Sequence, residues 1–151
     1  YLPITYSTSI GSNTAEARAT YSYDDDRNVC SIAVDGMETV YVWSYNGQYP
    51  VARIEGLSYA KVQEAIGAST ISALLKKQVP SSADLTSLRN AVRKAGGQIT
   101  TYTYKPLVGI TSQTMPNGMK MTYEYDGFGR LTTVRDHNGK VVSTHSYNYK
   151  K

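Results

Sequence analysis

The chain has 151 residues, a formal charge of +4, 40% hydrophobic content and 14 tyrosines among its aromatic residues. That length fits a single repeat domain spanning residues 1–151, and a lone cysteine, Cys30, excludes an internal disulfide. No run of about 18 apolar residues is present to form a transmembrane helix, which argues against membrane insertion by this chain.

Aromatic-x-Tyr pairs occur five times, at Tyr21/Tyr23, Trp43/Tyr45, Tyr102/Tyr104, Tyr123/Tyr125 and Tyr147/Tyr149. Six residues after the second ring come Val29, Val51, Ile110 and Leu131, while the fifth pair runs into the last residues. Counted on the second ring, the steps are 22, 21 and 24 residues, interrupted by one gap of 59. A fixed period of about 20–50 residues marks a stacked repeat, in which each unit buries its apolar face against its neighbours.

The opening Tyr1-Leu2-Pro3 has no signal-peptide pattern and runs directly into strand-like sequence, which predicts a segment of a larger parent chain. Strands are expected over 15–23 and 28–34, the second holding Cys30 as a small buried hydrophobe. Asp35-Gly36 then supplies a tight turn into 37–45, followed by 51–55. From 57 to 96 the apolar period changes from two to that of a helix. Tyr59, Val62 and Ile66 follow helical spacing between a capping Ser58 and a terminating Gly67. A second short helix over 70–77 carries Ile71, Leu74 and Leu75, and Pro80 breaks it. The third starts after Ser81 or Ser82, shows Leu85, Leu88 and Val92 on one face, and closes at Gly96-Gly97. Strands resume at 98–105, 109–115, 119–126, 130–136 and 140–149, with turns at Asn117-Gly118 and Asn138-Gly139. The fold class is mainly β: an antiparallel meander of about nine strands with a helical insertion over 57–96. In it Tyr23, Tyr45, Tyr104, Tyr125 and Tyr149 are expected at equivalent strand positions.

Charge follows the same boundary. Residues 57–96 hold six basic and two acidic side chains, so the whole +4 belongs to the insertion, while the rest balances ten against ten. This is a solvated helix face, too sparse in basic clusters for a nucleic-acid partner. His137 and His145, with one distant Cys, match no zinc spacing, and Asp24-Asp25-Asp26 lacks the spaced ligands of a calcium loop, so no metal is expected. Asp126 and Asp136 recur at turns, as capping residues do. No nucleophile–base set or phosphate-binding loop occurs; neither catalytic residues nor a cofactor are expected, and the chain reads as a non-enzyme. The alternative to a structural and interaction role is a carbohydrate-binding surface, with Trp43, Tyr45, Tyr49, Tyr123 and Tyr125 as the stacking rings and a polysaccharide as partner. The uncharged first strand near residues 4–8 is expected to favour edge-strand self-association.

The stretch from Gly118 through Tyr123, Tyr125, Asp126, Gly129, Arg130 and Leu131, followed by Asp136 and Gly139, resembles the YD repeat of the Rhs family. That pattern is Tyr-x-Tyr-Asp-x-x-Gly-Arg-Leu with a later Asp-x-x-Gly. Tyr21 to Val29 is a degenerate copy in which Arg27 replaces the turn glycine, and the copies starting at Tyr45 and Tyr104 are weaker. The segment from Tyr41 to Pro50, the helical insertion and the segment from Thr101 to Ile110 look like the C-terminal part of large bacterial Rhs-type surface proteins. The resemblance implies long spiralling β-sheets, an extracellular or cell-surface location, and roles in adhesion, carbohydrate contact or toxin encapsulation.

Overall fold

The structure, a computed structural model, describes residues 2–147. It divides into two compact units, the first running to Ile99 and the second starting at Thr100. The first unit begins with β1 (Thr5–Thr8), β2 (Glu16–Tyr23), β3 (Val29–Val34), β4 (Met37–Ser44) and β5 (Tyr49–Glu55). Each of these strands pairs antiparallel with the next, as the short turns between them require. Then come the helices α1 (Tyr59–Ile66), α2 (Ala68–Leu75) and α3 (Ser82–Lys94).

The second unit continues β6 (Gln98–Lys105, entered at Thr100) into β7 (Gly109–Thr114), β8 (Lys120–Tyr125), β9 (Leu131–Arg135) and β10 (Val141–Thr144). Its neighbouring strands are antiparallel as well. The fold is therefore the mainly-β meander with a helical insertion that the periodicity implies. Ten strands are present among the described residues: the nine of the periodic pattern and the short β1, which is the expected first strand near residues 4–8.

α1 and α3 start where the sequence places their signals, while α2 spans Ala68–Leu75, two residues earlier than the expected 70–77 because it starts directly from Gly67. Ser58 caps α1 by accepting from Lys61 N, and Gly67, at φ 92°, ends it. Ser81 and Asp84 form a reciprocal capping box at α3. Helices of 8 and 13 residues are marginal alone, so packing must hold them. Val62, Leu74, Leu85, Leu88 and Val92 supply it: all are buried, and α1 and α2 lie against β4. Gly97 completes the return to the sheet. A Cβ there would sit 2.6 Å from Leu57 Cδ1 and 2.9 Å from Val92 Cγ1, so a side chain is excluded by packing.

The core of the first unit is dense, with Val40, Val42, Val51, Ala52, Ile54, Val62, Val92 and Ile99 almost wholly shielded. In the second unit Val134 is the one buried hydrophobic residue among the described residues, while Leu107 and Phe128 stand exposed at hairpin tips. Thr103 there shares its hydroxyl with Thr111 at 2.8 Å and Ser112 at 2.6 Å. Polar cross-strand pairs do part of the work that apolar burial does in the first unit.

Candidate functional site

The recurring features of this chain are its turns and its rings. Four hairpins close with the same five-residue turn, starting at Asp24, Met115, Asp126 and Asp136. In each, the first residue's N–H donates to the carbonyl of the fifth, and the fourth residue's N–H donates back to the first carbonyl. The fourth position has positive φ: Arg27 at 67°, Gly118 at 89°, Gly129 at 76° and Gly139 at 77°. At the first position, the Asp126 carboxylate accepts from Phe128 N at 2.9 Å and Arg130 N at 3.0 Å, and Asp136 does the same with Asn138 N and Lys140 N. Asp24 accepts from Asn28 N at 2.7 Å. The Asp-x-x-Gly pattern is thus a turn whose carboxylate satisfies loop amides. Those amides, with the Arg130 guanidinium 2.7 Å away, hold the Asp126 carboxyl below its usual range.

The rings act just beyond these turns. The β3–β4 ladder reaches its last pair at Ser31–Val40, and Trp43 Nε1 continues it by donating to Val29 O at 2.8 Å. Likewise the β7–β8 ladder ends at Ser112–Thr122, and Tyr125 Oη donates to Ile110 O at 2.8 Å. Past β9–β10, Tyr147 Oη donates to Leu131 O at 3.0 Å; past β1–β2, Tyr23 Oη donates to Pro3 O at 2.7 Å. Where the backbones diverge, an aromatic donor bridges to a carbonyl of the preceding strand or, at Pro3, of the segment leading into it. Three of these acceptors are Val29, Ile110 and Leu131, the aliphatic residues that follow the aromatic pairs in sequence. Tyr125 also covers Gly109, where a Cβ would lie 2.6 Å from its hydroxyl.

This geometry corrects the expected equivalences. Tyr23, Tyr104 and Tyr125 do correspond: each faces the aliphatic residue six positions on, just after a β-bulge. Tyr45 does not. In the second repeat the bulge precedes Trp43, which faces Pro50, and Tyr45 falls in the following turn at φ 55°. Its ring is buried at 3% exposure, edge-on to Tyr49 with 5.5 Å between centroids. Tyr149 lies outside the described residues, and Tyr147 makes the bridging bond of the last repeat.

Of the five candidate stacking rings, then, Tyr45 is buried and Tyr49 packs on it. Tyr123 and Tyr125, in the second unit, are half-buried with hydroxyls bonded to Gln113 Oε1 and Ile110 O. Trp43 is half-buried and lines a cleft of about 400 Å³ in the first unit. Tyr41 of β4, Tyr59 of α1, Leu75 of α2 and the Asp24–Asp26 turn line it too. The cleft's members are legible in sequence only separately, Tyr59 on a helix face, Trp43 in an aromatic pair, and Asp24-Asp25-Asp26 as a run without the spacing of a calcium loop. Nothing in the periodicity brings them together, because the register of the insertion on β4 is a tertiary outcome.

Cys30 also lines the cleft and is buried, and burial raises its thiol pKa although a hydrogen bond from Tyr59 opposes the shift. Tyr59 is itself pushed up to about 12, first by burial and then by the Cys30 contact. Both remain neutral at ordinary pH. Among the described residues no group of three or more His, Cys, Asp or Glu is placed to hold a metal ion, and no helix is long and apolar enough to cross a membrane.

No curated protein matches the chain. Residues 109–148 match the family model described as RHS Repeat, a segment that contains the Asp126 and Asp136 turns and the Tyr125 and Tyr147 bridges. Over these residues the chain is similar to the RHS repeat, and the match is confined to the second unit.

Proposed function

We propose that this chain is a non-catalytic repeat module of a larger, secreted or surface-displayed Rhs-type protein, with a structural and interaction role. The observation that carries this reading is the bridging set: Tyr23, Trp43, Tyr125 and Tyr147 direct their polar atoms at backbone carbonyls of the preceding strand or, at Pro3, of the segment leading into it. Rings committed in this way extend the sheet from repeat to repeat. The second unit favours the same reading, because a layer with so little apolar burial gains from further repeats packed against it.

The test has two arms. Antibodies against the chain are expected to label intact cells that express the parent gene, and signal only after permeabilisation contradicts the surface location. On a glycan array the purified chain is expected to retain no class of sugar. Saturable retention that Tyr123→Ala abolishes would instead establish the carbohydrate-binding alternative.

A further inference from the structure

The cleft beside Trp43 has walls and a rim of different chemistry. Its walls are the rings of Tyr41, Trp43 and Tyr59, and its rim is the turn carrying Asp25 and Asp26. The indole N–H is engaged with Val29 O, so the ring is held in one orientation and its N–H is taken as a donor. Asp24 is engaged with the Asn28 amide and side chain at 2.7 and 3.2 Å. Asp25 and Asp26 are exposed and have no hydrogen-bond or ion-pair partner among the described residues. The field of Asp24 and Asp25 reaches into the cleft, where both contribute to raising the Tyr59 and Cys30 pKa values. The one cation on the lining is Lys76, at the C-terminal cap of α2, also exposed.

From this we infer that the cleft is a binding site for an organic cation, an ammonium group seated against the Tyr41, Trp43 and Tyr59 rings with Asp25 and Asp26 as counter-charges. An ammonium within about 6 Å of a Trp or Tyr face is attracted by the ring quadrupole, most strongly by Trp. A volume of about 400 Å³ suits such a group, falling within the roughly 300–1,000 Å³ of small-ligand sites. An anion would face the carboxylates and is disfavoured there. The site does not depend on the module's place in a larger array.

Trp43 is the only tryptophan, so its fluorescence excited above the tyrosine band reports on this site alone. Tetramethylammonium chloride is expected to give a saturable change at constant ionic strength, whereas the uncharged isostere neopentyl alcohol and sodium chloride give none. The double variant Asp25→Asn/Asp26→Asn, checked for native unfolding behaviour, is expected to weaken the response about five- to thirtyfold. Lys76→Ala is expected to strengthen it. N-acetyl-lysine methylamide forms the second arm. Tighter binding than tetramethylammonium indicates a lysine side chain of a partner protein, and weaker binding a free small cation. No saturable change, an equal change with neopentyl alcohol, or a response unaltered in the double variant would overturn the assignment.

Discussion

Arg27 occupies a backbone position that the other three five-residue turns give to glycine, at φ 67°. For an L-residue the left-handed region costs about 1–2 kcal/mol, partly offset because glycine leaves a looser unfolded chain. Arg27→Gly should therefore stabilise the protein by about 0.5–1 kcal/mol, raising its urea midpoint. A lower midpoint would mean that the Arg27 side chain contributes more than its backbone costs. The sequence marks this turn as degenerate and so makes the strain legible. It does not mark Gly109, whose missing side chain admits the Tyr125 ring, because close approach by a residue on another strand leaves no local pattern.

Among the elements, the helices were the most legible part of the fold. Ser58, Gly67 and Ser81 are local signals, and helical spacing of apolar residues identifies the buried face without knowledge of what it packs on. Leu88, at 2% exposure, should therefore matter as a core residue: Leu88→Ala is expected to cost roughly 2–5 kcal/mol in denaturant unfolding. A loss below about 0.5 kcal/mol would show the insertion to be a loosely held appendage. The α3 cap adds a pH signature. Asp84 bonds Lys77 Nζ, then the Ser81 amide and hydroxyl, and these hold its carboxyl below the usual range. A group with a depressed folded pKa stabilises above its unfolded value of about 3.9, and that contribution disappears as pH falls through the folded value. Asp84→Asn should thus narrow the loss of stability across this acid range; an unchanged acid limb would contradict the role of the cap.

Strand register was the least legible, for a geometric reason. Side chains alternate with period two, so a slip of two residues leaves every ring on its original face. Alternation alone therefore cannot distinguish Trp43 from Tyr45, or Tyr147 from Tyr149, and the bulge ahead of Trp43 decides the first case. The candidate site was harder still to foresee, since its residues come from three strands, a turn and two helices.

At the scale of the whole molecule, repetition leaves edges. β1 pairs with β2 on one side, and its Tyr6 and the nearby Ile4 and Ile10 are exposed without a charge between them. Such an edge accepts another chain. Light scattering should accordingly detect self-association that Thr5→Lys with Thr8→Lys suppresses, and a wild type that stays monomeric at millimolar concentration would refute this.

The central claim is that the recurring aromatic residues serve the sheet itself, by bonding to carbonyls where the ladders end. Its most direct test compares unfolding free energies of Tyr23→Phe and Tyr125→Phe with Tyr6→Phe, which removes an exposed hydroxyl that has no partner among the described residues. Each bridging hydroxyl is predicted to be worth about 0.5–1.5 kcal/mol and the Tyr6 hydroxyl close to zero, whereas equal, negligible losses at all three positions would contradict the account.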